Sequence, residues 1–326
     1  MAIAGVAVAL AGCGGEQSTL NPKSTQASDI STLFWVMLAV ASIVFLGAVG
    51  MLVVASIRRA RGLPFIGQRE RVTTGLVIAF GIVIPVVVLV AVFIVANIYV
   101  MPATSAPPKG STKLTVHVIG HQWFWEFRYP GRPTAVTANE LHIPTGTRVE
   151  VEGTTGDVIH SFWVPQLNRK IDLIPGRTNR ILLYTNAPGV YRGQCAEFCG
   201  LQHAHMAMRV FAQPPARFRA WLSNEAKPAR TPANAAQRTG EQTFMSSQCA
   251  SCHTIRGTNA QGDVGPDLTH FAGRTTLAAN TLRNTPNNVA RWISDPQAIK
   301  PGNRMPKLNL TRSQIGEIVP YLESLK

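Results

Sequence analysis

Acidic side chains are scarce in this sequence: 17 Asp and Glu stand against 31 Lys and Arg in 326 residues, a formal net charge of +14. Such a balance raises nucleic acid as a partner. The distribution excludes it, because no stretch joins a basic stripe to a stacking platform. The densest cluster, Arg58, Arg59, Arg61, Arg69 and Arg71 against Glu70 alone, lies between two long runs without any charge. Cysteine is scarcer still: five residues, an odd count that excludes a disulfide framework as the organising principle. No internal repeat is visible. The length accommodates two soluble domains and a membrane anchor.

The uncharged runs span residues 33–57 and 72–100, and each exceeds the ~20 apolar residues needed to cross hydrocarbon. They predict a transmembrane hairpin over residues 28–101, with Pro85 kinking its second helix. By the positive-inside rule the basic loop 58–71 is cytoplasmic, so both termini and everything beyond residue 101 face outward, periplasmic or extracellular, from a bacterial cell membrane. Neither span carries an acidic or basic side chain, which argues against a proton or ion path of its own and leaves an anchor or a hairpin docked on a larger membrane partner. Upstream, "VALAGC" resembles the lipobox of bacterial lipoproteins, predicting a signal peptide over 1–12 and a lipidated Cys13, although the leader lacks the usual Lys or Arg.

After the Pro-rich exit "MPATSAPPKGS", short β-branched and aromatic segments recur about every ten residues through 112–212, the pattern of an antiparallel β-sandwich or barrel. A Pro/Ala linker is expected over 213–236. The remainder, 237–326, favours short helices in "TGEQTFMSSQC", "NNVARWISDP" and "TRSQIGEIVPYLESLK".

"CAEFCGLQHAHM" concentrates Cys195, Cys199, His203 and Met206 in twelve residues, and His160 stands upstream in "GDVIHSFWVPQLNRKIDLIPGR". Thiolate, imidazole and thioether together select copper over hard cations. Zinc with a further ligand, or a Cys195–Cys199 disulfide in an exported domain, are the alternatives on these residues alone.

The motifs "DVIHSFWVP", "IPGR", "YRGQCAEFCGLQHAHM" and "GHQWFWEF", with the helical hairpin, resemble subunit II of the haem–copper cytochrome c oxidases over roughly residues 28–212. The resemblance implies a cupredoxin-like domain with a binuclear CuA copper centre, bridged by Cys195 and Cys199. It implies His160 and His203 as imidazole ligands, Met206 as axial ligand and the Glu197 carbonyl as the last. It further implies magnesium held through the Glu197 side chain at the junction with subunit I, a polar network there that includes Asp172, and Trp123 as the point of electron entry. The alternative for Trp123 is that it shares a core face with Trp125 and Phe127. His205 is a competing ligand of lower standing, and His117, His121 and His142 read as surface or hydrogen-bonded sheet residues.

"CASCH", residues 249–253, is a C-x-x-C-H motif, in which two thiols add to haem vinyl groups and the adjacent His253 ligates iron. A thioredoxin-like pair is the rival, but no βαβ pattern surrounds it. The second axial ligand is Met305, in "KPGNRMPKL", with His270 as its alternative. "GPDLTHFAGR" and the Pro-flanked methionine resemble class I cytochrome c over 237–326.

The whole is identified as a multidomain membrane protein: a two-helix transmembrane hairpin, a cupredoxin-like all-β sandwich and an all-α cytochrome c domain. It is similar to subunit II of caa3-type oxidases. That resemblance implies passage of electrons from covalent haem c through CuA to subunit I, where oxygen is reduced and protons are pumped. Subunits I and III are the implied partners, with a cytochrome c or a quinol–cytochrome c reductase as donor. The rival classes are a subunit of another CuA enzyme, such as a nitric oxide reductase, and a copper-handling membrane protein. Little acid in "WEFRYP" sets the β-domain apart from oxidases that dock a separate basic cytochrome.

Overall fold

The computed structural model describes residues 15–63 and 70–326, so Cys13 with its lipobox, and residues 64–69 of the basic loop, lie outside the described residues. Among the described residues the chain divides into two compact units, one within 28–105 and one formed by 15–27 with 106–326.

The first unit is built on two helices, α1 (Thr25–Ala60) and α2 (Glu70–Thr104), long and apolar enough to cross a membrane, with mean hydropathies of 2.6 and 3.2. Their large side chains point outward, as expected for segments whose solvent is lipid. The backbone answers Pro85 with a π-helical turn over Ala79–Val83, and Pro102 is preceded by a second over Ala96–Val100. A proline lacks the N–H and crowds the carbonyl one turn back, and widening the turn relieves both.

In the second unit ten strands form two five-stranded sheets. One has the order β3 (Ala135–Ala138), β2 (Phe124–Tyr129), β1 (Leu114–His121), β5 (Val149–Thr155), β8 (Asn179–Leu183). The other runs β4 (Glu140–Pro144), β10 (Ala207–Gln213), β9 (Gly189–Cys195), β6 (His160–Trp163), β7 (Ile171–Leu173). The sheets are mixed rather than wholly antiparallel, because β1 pairs parallel with β5 and β4 parallel with β10. Strands that cross between the two layers of a sandwich return beside a neighbour of the same direction, which alternation along each strand cannot reveal. Val116, Val118, Trp125, Phe127, Leu141, Val151, Phe162 and Val210 fill the space between the layers, the inward set that a period of two demands.

The segment expected as a linker contains helix α3 (Pro215–Glu225), which packs Phe218 and Trp221 against Tyr129. Trp221 also stacks on His142, whose other neighbour is Phe211. Beyond it come α4 (Ala235–Ser246), α5 (Cys249–Cys252), the β11–β12 ribbon (Thr276–Leu277 with Leu282–Arg283), α6 (Pro286–Ser294), α7 (Pro296–Ile299) and α8 (Arg312–Leu322). Asn234, Thr285 and Thr311 cap α4, α6 and α8, the last as a full capping box with Gln314. Helices α4 and α8 cross at Gly240, where a Cβ would stand 2.2 Å from the Glu317 carbonyl oxygen, so glycine sets their closeness. Phe244 and Tyr321 meet edge to face beneath the crossing.

Glu225, at the end of α3, is buried with Oε1 unpartnered. Burial raises its carboxyl to about 7, against the pull of Arg274 and Arg256, with Asp267 and Glu140 adding to the rise. A carboxyl raised in the folded state holds its proton longer there than in the unfolded chain. Stability therefore falls as pH rises from about 4.5 to about 7. His142, lowered to about 4 by burial, contributes the opposite slope between about 4 and 6.5. The comparison of Glu225→Gln with wild type isolates the first: denaturant unfolding should find the variant gaining up to about 3 kcal/mol relative to wild type between pH 4.5 and 8.

Candidate metal and haem centres

Strand β6 delivers His160 at its first residue and strand β9 delivers Cys195 at its last, and the loop that follows returns through a 3-10 turn at His203–His205 to β10. The pairing Phe162 to Cys195 lays the two strand ends side by side. The Cys195 and Cys199 sulfurs are 3.8 Å apart, not joined, since a disulfide needs ~2.05 Å. His160 Nδ1 lies 3.9 Å from Cys195 Sγ, His203 Nδ1 3.6 Å from Cys199 Sγ, and Met206 Sδ 3.9 Å from Cys199 Sγ. The Glu197 carbonyl oxygen is 3.2 Å from Cys195 Sγ. All six residues anticipated for copper thus converge, four of them fully buried, on a soft donor set that suits copper. Contact with Cys199 and His160 pulls the Cys195 thiol far below its ordinary range, because the paired sulfurs hold one proton between them. A ready thiolate is what a metal requires.

The competing ligand does not join the cluster: His205 turns to Gln202, Nδ1 to Oε1 at 3.0 Å. The Glu197 side chain is exposed, as is that of Asp172. His117 lies beside Glu152, and His121 stacks on Phe124 with Glu126 3.4 Å away.

Around the ligands stands a shell that motif reading did not single out. Asp157 Oδ1 is 2.8 Å from His160 Nε2, which leaves Nδ1 for the metal side. Burial would raise the Asp157 carboxyl, but hydrogen bonds from His160, Gln122 N and Val158 N hold it well below the usual carboxylate range. Gly120 gives the imidazole room, since a Cβ there would meet His160 Cδ2 at 2.8 Å. The only sign in the sequence is the carboxylate three residues before His160 in "GDVIH". Asp157→Ala should lower copper affinity by about ten- to a hundredfold, read as copper retained against a competing chelator.

The Cys199 carbonyl oxygen accepts from Gln122 Nε2 at 2.7 Å and from Trp123 Nε1 at 3.0 Å. Trp125 Nε1 donates to the Met206 carbonyl at 3.3 Å. The alternative of a common core face for the three aromatics breaks at Trp123: Trp125 and Phe127 are core, while Trp123 precedes the strand and is only partly buried.

Trp123 also borders a cavity that is partly open to solvent. Cys249, Cys252, His253 and Met305 all line it. One turn of α5 sets the cysteines three residues apart, on one face. His253 Nδ1 bonds the Pro266 carbonyl oxygen at 2.8 Å, which fixes the tautomer and frees Nε2 as a ligand. The Met305 segment is pinned by Gln297 Nε2 on its carbonyl and by its own N–H on Asn303 Oδ1, each at 2.8 Å. His270, the alternative, is not on the cavity wall and places Nε2 3.0 Å from the Lys227 carbonyl. The two thiols on one turn, the free imidazole nitrogen and an apolar wall fit a covalently held haem.

Fold and site define a membrane-anchored protein that carries a cupredoxin-like domain and a c-type cytochrome domain. The family model for the periplasmic domain of cytochrome c oxidase subunit II matches residues 132–212, and that for cytochrome c matches 237–326. A cytochrome c oxidase subunit 2 of Alkalihalophilus pseudofirmus is 34% identical over 326 residues, covering 97% of this chain and 94% of that one. The Bacillus subtilis protein of that name is 31% identical over 263 residues, 75% and 73% of the two chains. The solved periplasmic domain of subunit II from Bradyrhizobium japonicum is 31% identical and covers 36% of this chain and 95% of its own, with a TM-score of 0.34. The chain belongs to the cytochrome c oxidase subunit 2 family and carries a fused cytochrome c domain. Membership implies copper in the β-domain and haem in the helical one, a membrane-anchored place with the β-domain outside, and subunit I as partner.

Proposed function

We propose that this chain is the electron-entry subunit of a caa3-type oxidase. It takes electrons at haem c, held by Cys249 and Cys252 with His253 and Met305 as axial ligands, and passes them through a copper pair to subunit I. There oxygen is reduced to water and protons are pumped. Cys195 and Cys199 would hold the copper pair together with His160, His203, Met206 and the Glu197 carbonyl, and the exposed Glu197 carboxylate would reach magnesium at the subunit I junction. When bound, the two groups would supply one-electron transfer. Each residue of the chain then has a narrower task. Asp157 orients His160, Pro266 orients His253, and Trp123 conducts between the two sites.

The observation that carries this reading is that Trp123 lines the haem cavity and hydrogen-bonds the carbonyl of a copper ligand. One side chain thus meets both the cavity wall and the loop of the copper donors. The basic loop puts both termini and both cofactor domains outside the cell membrane, with subunit III as a further neighbour. A cytochrome c or a quinol–cytochrome c reductase delivers to the haem. The boundaries follow the same logic: hairpin 28–101, copper domain 112–212, connecting segment 213–236 and cytochrome 237–326, after a signal peptide at 1–12 and a lipid on Cys13.

The test is elemental analysis of the purified chain, read as copper per covalent haem iron, followed by flash reduction of the haem. A copper pair per haem and rapid reoxidation of the haem by copper are expected. A single copper, or zinc in its place, would overturn the assignment. With subunit I present, consumption of oxygen rather than nitric oxide separates an oxidase from its nearest rival.

A further inference from the structure

The cytochrome domain is seated on the copper domain through polar groups that bond one another, several of them buried. Glu140 opens β4, the edge strand of its sheet, and is 2% exposed. Its Oε1 accepts from Thr275 N at 2.8 Å, Thr275 Oγ1 at 2.6 Å, Thr276 N at 3.0 Å and Thr276 Oγ1 at 3.3 Å, all across the domain boundary. On the next strand, Arg209 Nε donates to Asn280 Oδ1 at 2.9 Å, at the tip of the same β11–β12 ribbon. From the cytochrome side, buried Lys300 donates to the His205 carbonyl at 3.0 Å and to the Ala278 carbonyl at 3.2 Å. Gln202 Nε2 reaches the Pro301 carbonyl at 2.6 Å.

We propose that Glu140 is a positioning residue for electron transfer within the chain: it latches the cytochrome domain onto the edge of the copper domain so that the haem cavity faces Gln122 and Trp123. The assignment of transfer rests on the function proposed above; the docking itself does not. A buried carboxylate serves as a latch because the donors facing it, here with the Arg274 charge nearby, must compensate for its lost water. Those donors are backbone amides and hydroxyls of adjacent residues, so they fix register as well as contact. Arg209 and Lys300 border the same ribbon from either side, and neither can pair if the ribbon slides. The connection over 213–236 is therefore not a tether that sets only an effective concentration. The Trp123 face is occupied by the chain's own cytochrome domain, and an external carrier must deliver to the haem domain elsewhere.

The test compares Glu140→Ala, Glu140→Gln and wild type in the full chain with haem and copper loaded. Amide hydrogen exchange reports docking without reference to activity. Glu140→Ala should raise exchange at Thr275 and Thr276 by at least about tenfold, with the Val116 and Val118 amides unchanged. Glu140→Gln keeps an acceptor oxygen and should retain most of the protection. In the same samples the rate of haem-to-copper transfer after a flash should fall at least about tenfold in Glu140→Ala, with the copper and haem absorption bands unaltered. Unchanged exchange at Thr275 and Thr276 in Glu140→Ala would overturn the latch. So would loss of protection at Val116 and Val118 together with them, which would make Glu140 a prop of the β-sandwich. Raised exchange with an unchanged rate would overturn the positioning role. A chain that binds no copper pair would instead refute the proposed function, leaving the exchange result to stand by itself.

Discussion

Cys195→Ser should remove the copper pair and leave the haem where it is. The cluster has one sulfur at the end of β9 and the other four residues on, 3.8 Å away. His160 and the Glu197 carbonyl both address Cys195, while His203 and Met206 address Cys199. A serine hydroxyl keeps the shape, but it is a hard, weakly acidic donor where a soft thiolate stood. With only Cys199 left to bridge, the two halves of the donor set can no longer share metal. Copper per covalent haem should fall from a pair to at most one. Reoxidation of flash-reduced haem should slow by more than about a hundredfold, beyond the ~10–100-fold cost of losing an outer-shell partner. The haem absorption spectrum is the internal control, because Cys249, Cys252, His253 and Met305 lie in another domain. Full retention of both coppers would remove Cys195 from the ligand set.

Gly265→Ala should strike the other centre, without replacing any residue that would bond to haem. A Cβ at 265 would stand 2.5 Å from His253 Cε1, 2.7 Å from Nδ1 and 3.0 Å from Nε2. The imidazole cannot yield easily, since Nδ1 is tied to the Pro266 carbonyl at 2.8 Å. The backbone cannot either, because Gly265 N donates to the Cys252 carbonyl at 2.7 Å. Overpacking of this kind costs about 1–3 kcal/mol, and here relief comes most directly from displacing the ring. Haem should still attach, as both thiols are unaffected, but the axial His should be lost or weakened. The low-spin absorption bands would then be replaced, and the midpoint of denaturant unfolding should fall. Gly273→Ala is the control, because nothing lies within 4 Å of its Cβ position. Equal behaviour of the two variants would show that the space under His253 does not set its position.

Chemistry at both centres was legible because it resides in residue types at short spacing. "CAEFCGLQHAHM" and "CASCH" present their sulfurs and imidazoles within a turn or a loop. The only long-range partners they needed, His160 and Met305, stood in motifs of their own. The supporting shell was harder to read. Asp157 could be suspected from its place three residues before His160, but nothing in "DVGPDL" indicates that Pro266 offers a carbonyl to His253, because every residue has one. Trp123 looked equally suited to electron entry and to the core. A turn just before β2 takes it off the strand's alternation and sets it between the cavity and the Cys199 carbonyl.

The sequence alone therefore carried the apolar spans, the period-two strands and the candidate donors, since hydrophobic length, alternation and ligand softness are properties of residues and their neighbours in the chain. The tertiary structure alone decided how the two soluble domains meet. Glu140 and Thr275 are 135 residues apart, and a buried carboxylate becomes a latch only when folding removes its water and leaves those four donors in its place.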